Sequence, residues 1–382
     1  MNSILQKHIA QKFVDTFNKK PLLVFSPGRI NLIGEHTDYN NGFVFPAAID
    51  KGIYCAIEKS AKNYSTIIAL DVKDEFTIDL NSVSKYSFGS WKNYVLGIIN
   101  EIQNKGKSIS NFNLVFSGDI PSGAGLSSSA ALENSVVFGL NELFQLQLSK
   151  KEMINISQKA EHNFVGVNCG IMDQFASMFG EENSALLLDC KRLSYDKVEL
   201  NLKGIEILLI NTNVKHSLAE SAYNDRRKTC ERVASLLQKK ALREVDYKSL
   251  QTIKEKISEE DFQKALFVIE ENQRVLNAKN AIDKNDITTL GSLLFESHKG
   301  LSHQYNVSCD ELDYLVKLAK ESSSVFGARM MGGGFGGCTI NLVKLSEKEA
   351  FITTIKQQYF QQFNTNCSVY EVKLSNGTQI LL

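Results

Sequence analysis

The chain's 382 residues are 43% hydrophobic and 23% charged, which is enough length for two domains and enough apolar content to give each a core. Lys+Arg and Asp+Glu both number 43, for a formal charge of +0, so no cationic excess exists to hold a nucleic acid through many phosphate contacts. No apolar run approaches the roughly 20 residues of a membrane span, the first twenty residues lack the apolar core of a signal peptide, and the seven dispersed cysteines describe neither a disulfide framework nor a zinc site.

In chain order, Leu5, Ile9, Phe13 and Phe17 are spaced by four and predict a first helix that ends near Lys20-Pro21. A short apolar strand from Leu22 then feeds a long polar loop between Pro27 and Pro46. Alternation predicts strands at Ile53, Cys55 and Ile57, at Phe76, Ile78 and Leu80, and at Phe112, Leu114 and Phe116. Between the last two runs a helix with the stripe Trp91, Tyr94, Val95, Ile98 and Ile102. The Phe112 strand enters a glycine-rich loop, and a helix emerges from it near Leu126. Ser149 with Glu152, and Ser346 with Glu349, each fit a capping box and predict helix starts.

From about Asn201 the pattern changes to an apolar strand, Ile205 to Ile210, and then to long charged helical stretches between Leu218 and Leu318. A glycine loop leads into a strand from Thr339 to Val343, and Tyr370, Val372 and Leu374 with the turn Asn376-Gly377 read as a hairpin. The expected division is an N-terminal domain over 1–196 and a C-terminal domain over 197–382.

Three segments carry more chemistry than packing requires. The first contains Arg29, Glu35, His36 and Asp38: a guanidinium, two carboxylates and an imidazole within ten residues. Such a set suits a neutral polyol, because charge-assisted hydrogen bonds to hydroxyls are strong; a solvated loop of mutually paired charges is the plainer alternative. The second runs Gly123-Ala124-Gly125-Leu126-Ser127-Ser128-Ser129 between strand and helix. Glycines admit an anion to the backbone, and a helix start offers free N–H groups, so a triphosphate is a natural ligand. Without a lysine this is no Walker A loop, and a serine-capped helix after a glycine turn is the alternative. The third, Gly332-Gly333-Gly334-Phe335-Gly336-Gly337, contains G-x-G-x-x-G but precedes a strand where a dinucleotide fingerprint would open a helix. Five glycines in six residues imply close approach of main chain to a ligand or another segment, or else a tight interdomain turn.

Together and in this order, the three segments resemble the motifs of the small-metabolite kinases that include galactokinase, homoserine kinase, mevalonate kinase and phosphomevalonate kinase. Gly28 to Asn40, Cys169-Gly170-Ile171-Met172-Asp173-Gln174 and Met331 to Thr339 are similar to the galactokinase branch in particular. That resemblance implies an α+β fold of two domains, the first with a ribosomal-protein-like β-α-β unit and the second ferredoxin-like, with the active site in the cleft between them. It implies phosphorylation of the anomeric hydroxyl of α-D-galactose by ATP, with Mg²⁺.

By the same resemblance Asp173 faces that hydroxyl as the catalytic base and Arg29 neutralises charge on the moving phosphoryl group. Glu35, His36, Thr37, Asp38, Gly170, Asp173 and Tyr223 bind the sugar. Gly123, Ala124, Gly125, Leu126, Ser127, Ser128 and Ser129 form the phosphate loop, and Trp91 neighbours the adenine. Ser129 and Glu161 ligate the metal, with Ser128 as the other serine to consider. Ala124 stands where many members have glycine, and Ser26 where alanine is usual. The expected partners are galactose and ATP alone, with no nucleic acid and no membrane, for a monomer with reduced thiols in the cytoplasm. Two alternatives remain: a kinase for a related sugar, such as N-acetylgalactosamine or arabinose, or a catalytically silent galactose and ATP sensor.

Overall fold

The computed structural model describes residues 1–215 and 219–381, so Leu218, where the charged helical stretch was expected to begin, lies outside the described residues. Thirteen strands occur among the described residues: β1 (Leu22–Asn31), β2 (Phe43–Val44), β3 (Pro46–Lys59), β4 (Ser65–Ala69), β5 (Asp74–Ile78), β6 (Phe112–Gly118), β7 (Ser184–Asp189), β8 (Ser194–Glu199), β9 (Ile205–Lys215), β10 (Val325–Met330), β11 (Gly336–Lys344), β12 (Ser368–Glu371) and β13 (Gln379–Leu381). They form a six-stranded sheet ordered β13-β1-β3-β6-β4-β5, a four-stranded sheet ordered β10-β11-β9-β12, and a three-stranded sheet ordered β2-β7-β8. Pairing is antiparallel except between β4 and β6.

The helices Lys92–Asn104, Ser128–Phe144, Lys150–Ala160 and Met172–Phe179 cover one face of the six-stranded sheet. Their apolar stripes, including Val95, Ile98, Val136, Leu140, Ile154 and Phe175, meet Val24, Cys55, Ile57 and Leu114 of the strands in a dry core. The first helix, Ser3–Phe17, covers the opposite face through Ile9 and Phe13, as its four-residue spacing predicts. A second core joins the halves, since Ile30, Phe45 and Leu126 pack with Leu209, Ile340 and Met331.

Asp196 sits inside β8, paired with Leu187. The last strand, β13, returns to the first sheet, with Leu381 opposite Leu23.

The expected hairpin after Tyr370 does not form. β12 joins the edge of the second sheet beside β9. The chain then crosses to the first sheet, with Ser375 N donating to Ala48 O at 2.9 Å and Gly377 N to Gly180 O at 2.7 Å. Gly377 makes that crossing because a Cβ there would lie 2.5 Å from Met178 O.

Of the two capping signatures one is realised. Ser149 and Glu152 cap the helix Lys150–Ala160 reciprocally. Ser346 lies instead within a short 3₁₀ turn, and the helix Lys348–Phe363 begins after it without a side-chain cap.

Candidate active site

β1 carries a register irregularity between Pro27 and Arg29 that re-aims the strand's end, and Arg29 leaves it nearly buried. Its backbone N donates to Leu126 O at 3.1 Å, which ties the strand to the glycine-serine loop. Gly28 permits that approach, because a Cβ would stand 2.6 Å from the same oxygen. Asp173 lies in the first turn of the helix Met172–Phe179, 144 residues away, and the two side chains meet fork to fork. Arg29 Nε donates to Asp173 Oδ1 at 2.9 Å and Nη2 to Oδ2 at 3.1 Å, while Nη1 reaches Gly125 O at 2.5 Å.

Ser127 takes a left-handed conformation at the start of the helix Ser128–Phe144 and makes no side-chain cap. Its hydroxyl donates instead to Asp173 Oδ2 at 2.6 Å. The first-turn N–H groups of that helix are therefore left to another acceptor. Gly123 and Gly125 are exposed, whereas Ala124 and Leu126 point into the second core, which explains how a methyl group fits at 124. The third glycine segment backs this loop, with Gly332 against Gly125 O and Gly337 against Gly123 O.

A cavity of about 230 Å³ opens beside the Arg29–Asp173 pair. It is small for a ligand pocket, where 300–1,000 Å³ is usual, and is of a size for a single sugar ring. Glu35, His36, Asp38, Gly170 and Tyr223 line it, and Gly332 and Gly333 close it from the other half of the chain. The loop between Pro27 and Pro46 is thus largely buried rather than solvated. Glu35 Oε1 accepts from Arg329 Nη2 at 3.0 Å and from Gly332 N at 2.9 Å. Arg329 is fully buried and also donates to the carbonyls of Asn31, Leu32 and Met330.

Burial, then the charges of Asp173 and Glu35, push the Asp38 carboxyl up to about 7 against two backbone N–H groups that pull it down. His36 is buried and pushed down to about 3 by desolvation, so its imidazole is neutral. The Gly333 backbone pulls the other way, yet Nε2 has no aligned hydrogen-bond partner in the protein. Burial likewise raises the Tyr223 phenol well above its ordinary value.

Glu161 starts a π turn, Glu161–Val165, that extends the helix Lys150–Ala160. Such wide turns re-aim one side chain; here the Glu161 carboxylate meets Gln174 Nε2 at 2.9 Å and the Ser129 hydroxyl. Desolvation and the Asp173 charge raise it to about 7. Glu133, fully buried behind it, is raised well above the usual range by burial and by Glu161, and its Oε1 has no partner. Oxygen donors with surplus negative charge suit a hard divalent cation, so Ser129 and Glu161 fit a Mg²⁺ site.

Of the expected sugar contacts, Thr37 does not line the cavity. The Thr37 hydroxyl is used inside its own loop, on Gly34 O at 2.8 Å and Phe43 O at 2.6 Å. Trp91 donates its indole N–H to Asp74 at 3.0 Å and packs edge-on against Phe76 and Phe116. Conversely, Val167, Cys169 and Met172 line the cavity without having been singled out, although Cys169 and Met172 belong to the segment leading to Asp173. Arg329 and Glu133 offered no motif at all.

An uncapped helix start, a bidentate Arg–Asp pair and a small cavity lined from both halves of the chain suit a phosphoryl-transfer site. The chain matches the model of the GHMP kinases N terminal domain over residues 93–181 and that of the GHMP kinases C terminal over 278–361. A third model, the galactokinase galactose-binding signature, matches residues 11–59.

Among curated proteins it is 42% identical to the galactokinase of Thermosipho africanus, covering 93% of this chain and 98% of that protein. It is 41% identical to that of Clostridium acetobutylicum, covering 97% of each. Lactococcus lactis galactokinase, solved in complex with galactose, superposes with a TM-score of 0.94 at 36% identity, over 98% of this chain and 99% of that one. A mevalonate kinase at 18% identity and a TM-score of 0.67 shares the fold. The chain belongs to the galactokinase family.

Proposed function

We propose that this protein transfers the γ-phosphoryl group of ATP to the anomeric hydroxyl of α-D-galactose, giving α-D-galactose 1-phosphate and ADP. The observation that carries this reading is the Arg29–Asp173 pair, held at 2.9 and 3.1 Å beside Ser127 at the helix start. Its setting in a chain of the galactokinase family supplies the substrate.

In this reading the sugar occupies the cavity with its anomeric hydroxyl against Asp173. Glu35, Asp38, His36, Tyr223 and the Gly170 backbone grip its other hydroxyls. Asp173 accepts the hydroxyl proton as the phosphoryl group moves, and Arg29 and Ser127 fix both of its oxygens in place. Phosphoryl transfer passes through a loose transition state with little bond formation, so positioning and electrostatics outweigh base strength. Arg29 stays charged at any working pH and lies where the transferring oxygens gather negative charge. The phosphates rest on the loop from Gly123 to Ser129, whose glycines and uncapped N–H groups accept an anion. Ser129 and Glu161 would hold Mg²⁺, which when bound neutralises charge on the β- and γ-phosphates. The N-terminal part is read as the ribosomal-protein-like unit, the C-terminal part as ferredoxin-like, and the chain as a cytoplasmic monomer.

A coupled ADP-release assay with galactose, N-acetylgalactosamine and arabinose tests the assignment. Preferential turnover of galactose is expected. Preference for either other sugar would reassign the substrate, and binding without turnover would make the protein a sensor.

A further inference from the structure

His36 lines the cavity at 4% exposure, and its buried Nε2 makes no aligned hydrogen bond in the protein, although the Gly333 backbone pulls on the ring. Its other ring nitrogen starts a chain of buried groups that leads away from the site. Nδ1 lies 2.7 Å from Tyr39 Oη, Tyr39 Oη lies 2.8 Å from Tyr305 Oη, and Tyr305 Oη lies 3.2 Å from Cys230 Sγ. The three partners come from the sugar loop, the turn after the helix Ile287–His303, and the helix Ala219–Leu236. Tyr305 and Cys230 are buried to within 1% exposure, and neither they nor Tyr39 line the cavity. Ring packing holds the chain in register: the imidazole centroid is 4.9 Å from that of Tyr305 and 5.4 Å from that of Tyr223. Arg226 clamps the Tyr305 segment by donating to its carbonyl at 2.9 Å.

A neutral imidazole has one N–H, each phenol one O–H, and the thiol one S–H. If Tyr39 donates to Nδ1, its proton is used, so Tyr305 must donate to Tyr39 and Cys230 to Tyr305. If Nδ1 carries the proton, Tyr39 is free to donate onward to Tyr305, and Tyr305 to Cys230. The direction of the chain and the imidazole tautomer are thus one choice, which decides whether Nε2 is a donor or an acceptor.

We propose that Tyr39, Tyr305 and Cys230 form a buried hydrogen-bonded relay that holds His36 in a single neutral tautomer and thereby sets how Nε2 reads one hydroxyl of the sugar. They are positioning residues, because none of them reaches the cavity. The inference deepens the galactose reading and rests on it for the identity of the hydroxyl's owner, whereas the tautomer is a property of the unliganded protein.

The test is ¹⁵N NMR of the ring nitrogens in histidine-labelled protein, wild type beside Tyr305→Phe, with steady-state kinetics on both. In the wild type, the two His36 nitrogens should give well-separated signals, one protonated and one bare. In Tyr305→Phe the signals should move toward each other or exchange positions, although the altered residue never touches sugar. KM for galactose should rise about five- to tenfold, the size of one neutral hydrogen bond, with a smaller change in kcat and none in KM for ATP. Tyr39→Phe should do the same, and Cys230→Ser, which keeps a terminal hydroxyl, should leave the wild-type pattern. Unchanged nitrogen shifts and an unchanged KM in Tyr305→Phe would overturn the relay. If the wild type does not phosphorylate galactose, the proposed substrate falls while the nitrogen shifts still decide on the relay.

Discussion

Gly170 and Asp38 touch so closely that a methyl group on Gly170 would overlap the Asp38 carboxylate. The carboxylate is wedged between this glycine and its own loop, where Oδ1 accepts from Tyr39 N at 2.9 Å. Glycine at 170 is therefore a requirement of the cavity's shape. Gly170→Ala should displace Asp38, raise KM for galactose at least about tenfold and lower stability by about 1–3 kcal/mol, the usual cost of overpacking. Kinetics with a thermal melt check both, and an unaltered KM would show that Asp38 does not hold the sugar.

Arg29 makes three directed contacts from one planar group. A lysine ammonium cannot reproduce that fork. Arg29→Lys should lower kcat on the order of 10³-fold, the scale of an arginine acting on a transferring phosphoryl group. A kcat within about threefold of wild type would remove Arg29 from the transfer step.

Arg329 and Glu35 form an ion pair at 3.0 Å with side-chain exposures of 0% and 3%. Arg329→Met would leave a buried carboxylate uncompensated and three carbonyls without their donor. A destabilisation of about 3–5 kcal/mol is expected from denaturant unfolding. A loss below about 1 kcal/mol would mean that the pair is not integral to the fold.

Asp38 gives a pH dependence of defined sign. Its pKa rises on folding from the usual 3.8 to about 7, so the folded unliganded protein binds the proton more tightly than the unfolded chain does. The stabilisation is complete below about pH 4 and is lost as pH rises through about 7. Asp38→Asn removes this titration, so its stability relative to wild type should improve steadily between those limits. Melting temperatures across that range read the effect, and a constant difference would contradict it.

Local chemistry explains what was legible in the chain. Ser149 and Glu152 cap their own helix within four residues, and the glycines at 123 and 125 mark a turn that admits no other reading. The mixed polar loop also announced Arg29, Glu35, His36 and Asp38, because such a cluster has few uses in a core. Long-range decisions were illegible. Ser346 and Glu349 carry the same signature as Ser149 and Glu152, yet a 3₁₀ turn delays the helix there, and Glu347 accepts from Ser324 at 2.6 Å. Asn376-Gly377 looks like a hairpin turn, but the sheet edges on offer lie in different sheets. Arg329, Tyr305 and Cys230 sit in ordinary strand, turn and helix surroundings. Only the fold brings them to Glu35 and His36.

The central claim is that transfer occurs at Asp173, and one comparison tests it directly: galactose-dependent turnover of Asp173→Ala beside its thermal protection by galactose. Ligand bound only to the folded state raises the melting temperature whether or not chemistry follows. Turnover should fall at least about 10³-fold, by the magnitude seen when groups of a phosphoryl-transfer site are removed, while galactose still raises the melting temperature. Turnover within tenfold of wild type would contradict the account.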